Sequence, residues 1–89
     1  MKITYQVYIL ENESGKRYIG LSEDIALRLI QHNAGESKWT AKFRPWKIIW
    51  SSFPMTRTEA LILEKKMKRQ KGGKGLRTLM QQFQQPTGS

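Results

Sequence analysis

Five side chains spread along this chain could together hydrolyse a phosphodiester bond. They are two tyrosines, an arginine, a histidine and a glutamate: Tyr8, Tyr18, Arg28, His32 and Glu64. Hydrolysis of this bond needs a base for the attacking water, an acid or a metal ion for the leaving oxygen, and positive charge on the phosphoryl oxygens. Because one carboxylate with bound waters is an ordinary way to hold Mg²⁺ against a phosphate, these residue types indicate metal-assisted cleavage.

A β-hairpin is predicted to carry both tyrosines. Residues 3–10 alternate with the period of a strand, and residues 16–21 form the return strand after a turn at 12–15. Gly15 supplies any positive φ that this turn requires.

The register of this hairpin decides which residues share a face. A hairpin centred near Glu13 would set Tyr18 opposite Tyr8, and both tyrosines would then share one face with Gly20. The opposite face is apolar and contains Val7, Ile9 and Ile19.

A helix is predicted after the hairpin, with Ser22 as its N-cap and its end at 33–35. Arg28 and His32 are four residues apart, so they project from the same side of this helix. They border an apolar arc made by Ile25, Ala26, Leu29 and Ile30.

The second half of the chain is predicted to add one strand and two helices. A basic loop at 36–45 leads into a strand from Trp46 to about Phe53. A helix then runs from the capping box at Thr56 and Glu59 to about Gln70, and a glycine-rich break at 72–75 separates it from a short helix at 76–83. Glu64 lies on the first of these helices, beside its apolar stripe. We expect one domain over residues 1–83 and a flexible tail over 84–89.

Composition excludes several kinds of site. The 89 residues, 38% of them hydrophobic, suffice for one small folded domain. The absence of cysteine excludes disulfides, thiolate nucleophiles and zinc–thiolate sites, and the single histidine excludes a two-histidine zinc site. No stretch suits a membrane span or a signal peptide. We therefore expect a cytoplasmic protein without a membrane partner.

The charge balance points to nucleic acid as a partner. Sixteen lysines and arginines against seven acidic residues give a formal charge of +9, which attracts polyphosphates through counterion release. An anionic membrane surface is the alternative. In one segment the basic residues alternate with aromatic ones, a pattern that suits backbone contact together with base stacking. The residues expected to bind nucleic acid are Lys38, Trp39, Lys42, Arg44, Lys68, Arg69 and Lys71.

The order of the motifs resembles the GIY-YIG nuclease domain over roughly residues 3–83. The matching motifs are Val7-Tyr8, Tyr18-Ile19-Gly20, Arg28 about ten residues later, and Ala60-x-x-x-Glu64. A histidine at the position of His32 also occurs in several branches of that family. The loop at 35–40 and the segment at 44–46 resemble the short, single-domain branch related to the N-terminal nuclease module of UvrC.

The resemblance implies both a fold and a reaction. The fold would be a small α/β sandwich with a three-stranded antiparallel sheet flanked by helices, in the order strand, strand, helix, strand, helix, helix. The reaction would be hydrolysis of DNA phosphodiesters with one divalent metal, Mg²⁺ or Mn²⁺. Glu64 would coordinate the metal, Arg28 would hold the scissile phosphate, and Tyr18 or Tyr8 would position or deprotonate the water. Gly20 would allow close backbone packing at the site.

The sequence also departs from the family pattern. Gln6-Val7 replaces the glycine and isoleucine of the first motif, and Leu21-Ser22 stands where some relatives carry a lysine. A phenol with a pKa of about 10 is a poor base at neutral pH unless a cation, a metal or a neighbour such as His32 assists it.

Three hypotheses follow. The first is an endonuclease directed by DNA structure, such as flaps, branches or nicks, in DNA repair or recombination. The second is a catalytically weak nucleic-acid-binding module of the same fold. The third is a module that delivers a protein partner to DNA, and the first also leaves room for a partner that supplies substrate specificity.

Each candidate residue has a plainer interpretation as well. The tyrosines could form a cross-strand aromatic pair, and His32 could cap the C-terminus of its helix. Two ion pairs within helices, Arg28 with Asp24 and Glu64 with Lys68, could explain the other charges.

Overall fold

A three-stranded antiparallel sheet forms the centre of the molecule in the computed structural model, which describes residues 2–70 and 73–86. Its strands are β1 (Gln6–Asn12), β2 (Arg17–Ser22) and β3 (Trp46–Ser51). β1 lies in the middle and pairs with both neighbours, so the order across the sheet is β2-β1-β3. Helices flank this sheet, and the predicted α/β fold is confirmed.

The helices cover both faces of the sheet. They are α1 (Ile25–Asn33), α2 (Lys38–Ala41), α3 (Arg57–Lys68) and α4 (Gly73–Phe83). α1 packs on the face that carries Tyr8, whereas α3 and α4 pack on the face that carries Val7 and Ile9. The sheet therefore separates two small cores. None of the described helices is long and apolar enough to cross a membrane.

The predicted register of the hairpin is wrong, because the turn is centred one residue later than expected. Tyr8 pairs with Gly20, and Tyr18 pairs with Leu10. The side-chain oxygen of Asn12 accepts hydrogen bonds from backbone N–H groups of the turn, and Gly15 has a φ of 86°. A three-residue loop with a glycine in this conformation is a common hairpin connection.

The predicted sidedness of the hairpin is nevertheless correct. Moving the turn centre by one residue shifts the pairing by two residues, and side chains alternate with a period of two. Tyr8 and Tyr18 therefore pack in the same core, and Ile19 pairs with Ile9 on the other face.

The N-cap of helix α1 is Asp24 and not Ser22 as predicted. The Asp24 carboxylate accepts a hydrogen bond from the Leu27 N–H at 3.0 Å, while Ser22 accepts from the Asp24 N–H. The predicted end is confirmed, since the helix stops at Asn33 and Gly35 follows with a φ of 84°.

The buried face of α1 differs from the predicted apolar arc. Ile25 and Leu29 pack against the sheet, but Ala26 and Ile30 are exposed, and His32 is the buried residue of the helix. The inward face is thus rotated towards His32, because that imidazole finds hydrogen-bond partners in the core.

The remaining elements follow the prediction with two corrections. The basic loop at 36–45 contains the short helix α2, and α4 already begins at Gly73, so the glycine-rich break does not extend to Gly75. The capping box is confirmed, since the Glu59 N–H donates to Thr56 Oγ1 and the Glu59 carboxylate accepts from the Thr56 N–H. Residues 71–72, within the predicted break, and 87–89, at the end of the predicted tail, lie outside the described residues.

Candidate active site

A buried hydrogen bond joins Tyr8 and His32 beneath α1. β1 directs Tyr8 into this core, and the last turn of α1 brings His32 to meet it. The Tyr8 hydroxyl lies 3.0 Å from His32 Nε2, and each residue is only 1% exposed. Burying two polar groups is favourable only when they are hydrogen-bonded, so their mutual contact accounts for their position.

The contacts of Thr40 favour one tautomer of His32. Thr40, on α2, is buried, and its Oγ1 lies 2.9 Å from His32 Nδ1. The Thr40 hydroxyl donates to the Ser37 carbonyl at 3.4 Å, and a carbonyl can only accept. Thr40 Oγ1 therefore accepts from Nδ1–H, which leaves Nε2 free to accept the Tyr8 hydroxyl proton.

Tyr18 and Gly20 on β2 complete this aromatic cluster. The Tyr18 ring meets the His32 ring edge-on at 4.8 Å between centroids, and it lies 6.3 Å from the Tyr8 ring. A Cβ atom at Gly20 would lie 2.7 Å from the Tyr8 hydroxyl oxygen, too close for any ordinary contact. Only glycine therefore permits this position of the Tyr8 hydroxyl.

Arg28 brings positive charge to the same place. Its guanidinium donates to the Gln31 side-chain oxygen at 2.6 Å, and it borders a small cavity that His32 also lines. The guanidinium acts on both Tyr8 and His32 through its charge.

The protonation states of the pair follow from their surroundings. Burial, and then the Tyr18 phenol, raises the pKa of Tyr8 above its ordinary value of 10.0, although the positive charge of Arg28 acts in the opposite direction. Burial, and then the charge of Arg28, lowers the pKa of His32 below 6.5. At neutral pH Tyr8 is therefore a protonated phenol and His32 a neutral imidazole.

Glu64 approaches this cluster from α3, in the opposite layer. Its side chain is 17% exposed and lies 3.5 Å from the Lys68 ammonium group. The negative charge of Glu64 contributes to the raised pKa of Tyr8. No group of three or more histidine, aspartate or glutamate side chains that could hold a metal occurs among residues 2–70 and 73–86. A single carboxylate still fits Mg²⁺ or Mn²⁺, which commonly keep several waters and bind phosphate oxygens.

Comparison with known proteins identifies the family. Residues 4–77 match the family model described as the GIY-YIG catalytic domain. This chain belongs to the GIY-YIG family. It is 34% identical over 65 residues to a UPF0213 protein of Staphylococcus saprophyticus, covering 72% of this chain and 79% of that one. It is 32% identical over 74 residues to a UPF0213 protein of Staphylococcus aureus, covering 82% of this chain and 90% of that one. No solved structure matches.

GIY-YIG domains are nuclease domains, and the structure brings the five candidate residues of this one together. Tyr8, Tyr18 and His32 are in ring contact, Arg28 acts on Tyr8 and His32, and Glu64 acts on Tyr8. Of the plainer interpretations, the Glu64–Lys68 ion pair is present.

Two other plainer interpretations do not describe the structure. Arg28 bonds to Gln31, whereas the Asp24 carboxylate caps the helix. His32 uses both nitrogens inside the core and not as a helix cap.

Two neighbours of these residues, Thr40 and Gln31, were not predicted as parts of the site. Thr40 lay within the loop whose pattern resembled the short GIY-YIG branch, which was the one available signal for it. Gln31 carried no signal, because a glutamine on a helix is usually a solvated residue.

The side chains predicted to bind nucleic acid lie at the surface, apart from Lys71, which is outside the described residues. Lys38, Lys42, Lys68 and Arg69 are exposed, and exposed Arg44 reaches the Asn33 carbonyl at 3.4 Å. Trp39 and Lys68 come from separate basic segments of the GIY-YIG domain, yet they line one cavity together with Tyr18. The two segments therefore meet beside the tyrosine and histidine cluster.

Proposed function

We propose that this chain is a divalent-metal-dependent endonuclease that hydrolyses phosphodiester bonds in DNA. Membership of the GIY-YIG family supports nuclease chemistry, and the formal charge of +9 supports a polyanionic substrate. The observation that carries the proposal is the hydrogen-bonded Tyr8–His32 pair within reach of the charges of Arg28 and Glu64. Core packing alone does not require these four kinds of polar group at one place.

Tyr8 and His32 provide a route for the proton of the attacking water. A phenol with a raised pKa is a poor base, because its phenolate is scarce at neutral pH. The neutral imidazole removes this difficulty, since Tyr8 can take a proton from water while it passes its own proton to His32 Nε2. Thr40 holds the tautomer that makes Nε2 the acceptor.

The two tyrosines differ in their exposure to solvent and therefore in the roles that we infer for them. Tyr8 is 1% exposed, so water reaches its hydroxyl only when a neighbouring side chain moves. Tyr18 is partly exposed and lines the open cavity next to Trp39. We therefore assign the substrate-facing position to Tyr18 and the proton-transfer position to Tyr8.

Arg28 and Glu64 act on the phosphate. The Arg28 guanidinium neutralises the scissile phosphate and can hold two of its oxygens at once. Glu64, which now contacts Lys68, would hold the metal ion. The ion would supply positive charge for the phosphoryl and leaving oxygens.

The substrate is defined by DNA structure more than by base sequence. A domain of 89 residues has little surface with which to contact base edges, and contacts to phosphates carry no sequence information. Flaps, branches or nicks, as they arise in DNA repair or recombination, are the substrates that we infer. Any further specificity would come from a protein partner.

The test is cleavage of labelled flap, branched, nicked, duplex and single-stranded DNA, with matched RNA, in Mg²⁺, Mn²⁺ or EDTA. Glu64→Gln removes the proposed metal ligand, and Glu59→Gln makes the same chemical change on the same helix while keeping a capping box. Tyr8→Phe removes the proposed proton route, and Tyr5→Phe removes a hydroxyl on the other face of the sheet.

The expected result is metal-dependent cleavage that Glu64→Gln and Tyr8→Phe abolish and both control variants retain. Binding to DNA without any metal-dependent cleavage would overturn the proposal. The chain would then be a binding module of the GIY-YIG fold.

A further inference from the structure

A cavity of about 480 Å³ opens beside the candidate active site, where α2, the edge strand β2 and the ends of α3 and α4 approach one another. Its lining is of four kinds. Ile19, Met67 and Leu76 are apolar, Tyr18 and Trp39 are aromatic, Arg17 and Lys68 are cationic, and Gln70 carries an amide. Apolar, aromatic and cationic side chains together match a planar base joined to a phosphate backbone.

Trp39 is the unusual residue of this cavity. Its side chain is 47% exposed, whereas Trp46 and Trp50 are only 4% and 8% exposed. Tryptophan is enriched at interfaces, because its large apolar ring carries a polar N–H group at one end.

Neighbouring rings hold the exposed indole in place. Trp46 stacks on Trp39 with 5.9 Å between ring centroids, and Phe43 lies 5.1 Å away. A ring fixed in this way loses little conformational entropy when a ligand stacks on it. Trp39 is therefore already ordered for stacking before any ligand arrives.

The position of Trp39 relates it to the proposed chemistry. Its ring lies 6.2 Å from the ring of Tyr18, which in turn contacts His32 edge-on at 4.8 Å. A base at Trp39 would thus lie beside the tyrosine and histidine cluster, and Arg28 borders the same histidine.

We propose that Trp39 stacks on an unpaired base next to the scissile phosphate, within this cavity, and so selects DNA that has a single-stranded nucleotide at the cut. The inference rests on the proposed nuclease function and names its substrate class. In an intact duplex the base is stacked and paired, and placing it on Trp39 requires flipping it out at a cost of a few kcal/mol. A flap or a single strand offers that base without this cost.

The test compares binding of two single-stranded oligonucleotides of equal length in EDTA, where no cleavage occurs. One carries thymine bases, and the other has the same backbone with abasic sites throughout. The variants are Trp39→Leu, which removes the aromatic face, and Trp39→Phe, which keeps one. Leu27→Ala is the matched control, because Leu27 is an equally exposed apolar residue on α1.

The wild-type protein should bind the thymine strand about 10-fold more tightly than the abasic strand, which is within the usual range for one stacked base. Trp39→Leu should abolish this preference, Trp39→Phe should keep part of it, and Leu27→Ala should keep all of it. The thymine strand, and not the abasic one, should also quench the fluorescence of Trp39.

Two results would overturn the inference. The wild-type protein could bind both strands equally, or Trp39→Leu could weaken the binding of both strands by the same factor, which would mean that Trp39 supports the fold or contacts the backbone. The binding assay contains no metal and does not depend on cleavage, so its result can be interpreted even if the protein is not a nuclease. A base preference that depends on Trp39, found in a protein without cleavage, would support stacking while overturning the proposed nuclease.

Discussion

The lowered pKa of His32 predicts how stability depends on pH. Burial and Arg28 disfavour the imidazolium in the folded state, so its pKa lies below 6.5. Above pH 6.5 both folded and unfolded chains hold a neutral imidazole. As the pH falls below 6.5 the unfolded chain takes up a proton that the folded chain does not, and the free energy of unfolding decreases towards the lowered pKa of His32.

The measurement is the melting temperature of the wild-type protein and of His32→Gln between pH 7 and pH 5.5. The ordinary pKa of a glutamate carboxyl group is 4.5, and hydrogen bonds lower the pKa values of Glu23 and Glu59 below it. Both carboxyl groups therefore stay ionised over this pH range. The melting temperature of the wild-type protein should fall more steeply than that of the variant, whatever their absolute values. Parallel curves would contradict the buried, neutral imidazole.

Gly20 is predicted to be intolerant of any side chain. A methyl group at this position would meet the Tyr8 hydroxyl oxygen at 2.7 Å, and Tyr8 is fixed by its bond to His32. Overpacking of this kind costs about 1–3 kcal/mol. Gly20→Ala should therefore lower the free energy of unfolding and also reduce cleavage, because the hydroxyl must leave its place.

Denaturant unfolding and cleavage assays at a temperature where the variant stays folded separate these two effects. Gly73→Ala is the control, since a Cβ atom there meets no neighbour within 4 Å. Gly20→Ala with the activity and stability of the wild-type protein would show that Tyr8 is not held as the structure shows.

At the scale of elements, sequence patterns predicted the three strands and the three longer helices, but not the short helix α2 or the alignment of the hairpin. The tyrosine pairing was wrong because Asn12 and Gly15 together set a turn centre that the alternation pattern does not contain. The prediction of which residues share a face was still correct, because the pairing shifted by two residues and side chains alternate with a period of two. A sequence pattern therefore predicts a face more safely than a cross-strand partner.

The buried face of α1 shows why the candidate site was only partly predictable. Arg28 and His32 were recognised as residues one helical turn apart, but His32 was placed at the border of the apolar arc. Its burial depends on Tyr8 and Thr40, which come from other elements, and no local pattern records such a meeting. Thr40 was missed as a partner for the same reason.

The capping box of α3 is predicted to stabilise the helix that carries Glu64. Thr56 Oγ1 accepts from the Glu59 N–H at 3.2 Å, which satisfies a donor that the helix itself leaves free. Thr56→Ala should reduce the free energy of unfolding by about 1 kcal/mol, which lowers the melting temperature of a domain of this size by about 4–8 °C. Thr56→Ser keeps the cap and is the control.

Activity provides the second measurement for this prediction. Glu64 lies two turns beyond the cap, so Thr56→Ala should cut DNA at the rate of the wild-type protein at a temperature where it is folded. A loss of activity without a loss of stability would assign Thr56 a role in the site that the structure does not show.

At the scale of the whole molecule, the sheet brings its two helical layers together near the edge strand β2. α1 and α2 supply Arg28, His32 and Trp39 from one layer, and α3 supplies Glu64 and Lys68 from the other. Arg17 on β2 and Lys68 on α3 line the cavity beside Tyr18 and Trp39, whereas β3 forms the opposite edge of the sheet. Two of the sixteen basic side chains thus lie at this cavity.

This placement predicts how DNA binding responds to salt. When a lysine neutralises a phosphate, it releases part of one condensed counterion. For a single strand, each such lysine therefore adds about 0.7 to the steepness with which log affinity falls against log salt concentration.

Lys38 and Lys47 are two exposed lysines that test the position of the binding face. Lys38 neighbours Trp39 on α2, whereas Lys47 lies on β3 at the far edge of the sheet. Measured in EDTA from 50 to 200 mM salt, roughly the range over which such contacts change affinity strongly, Lys38→Gln should weaken binding and lower the slope by that amount. Lys47→Gln removes the same charge and should leave the slope unchanged. If both variants lowered the slope equally, the net charge alone would attract DNA, and the surface beside Trp39 would not be the binding face.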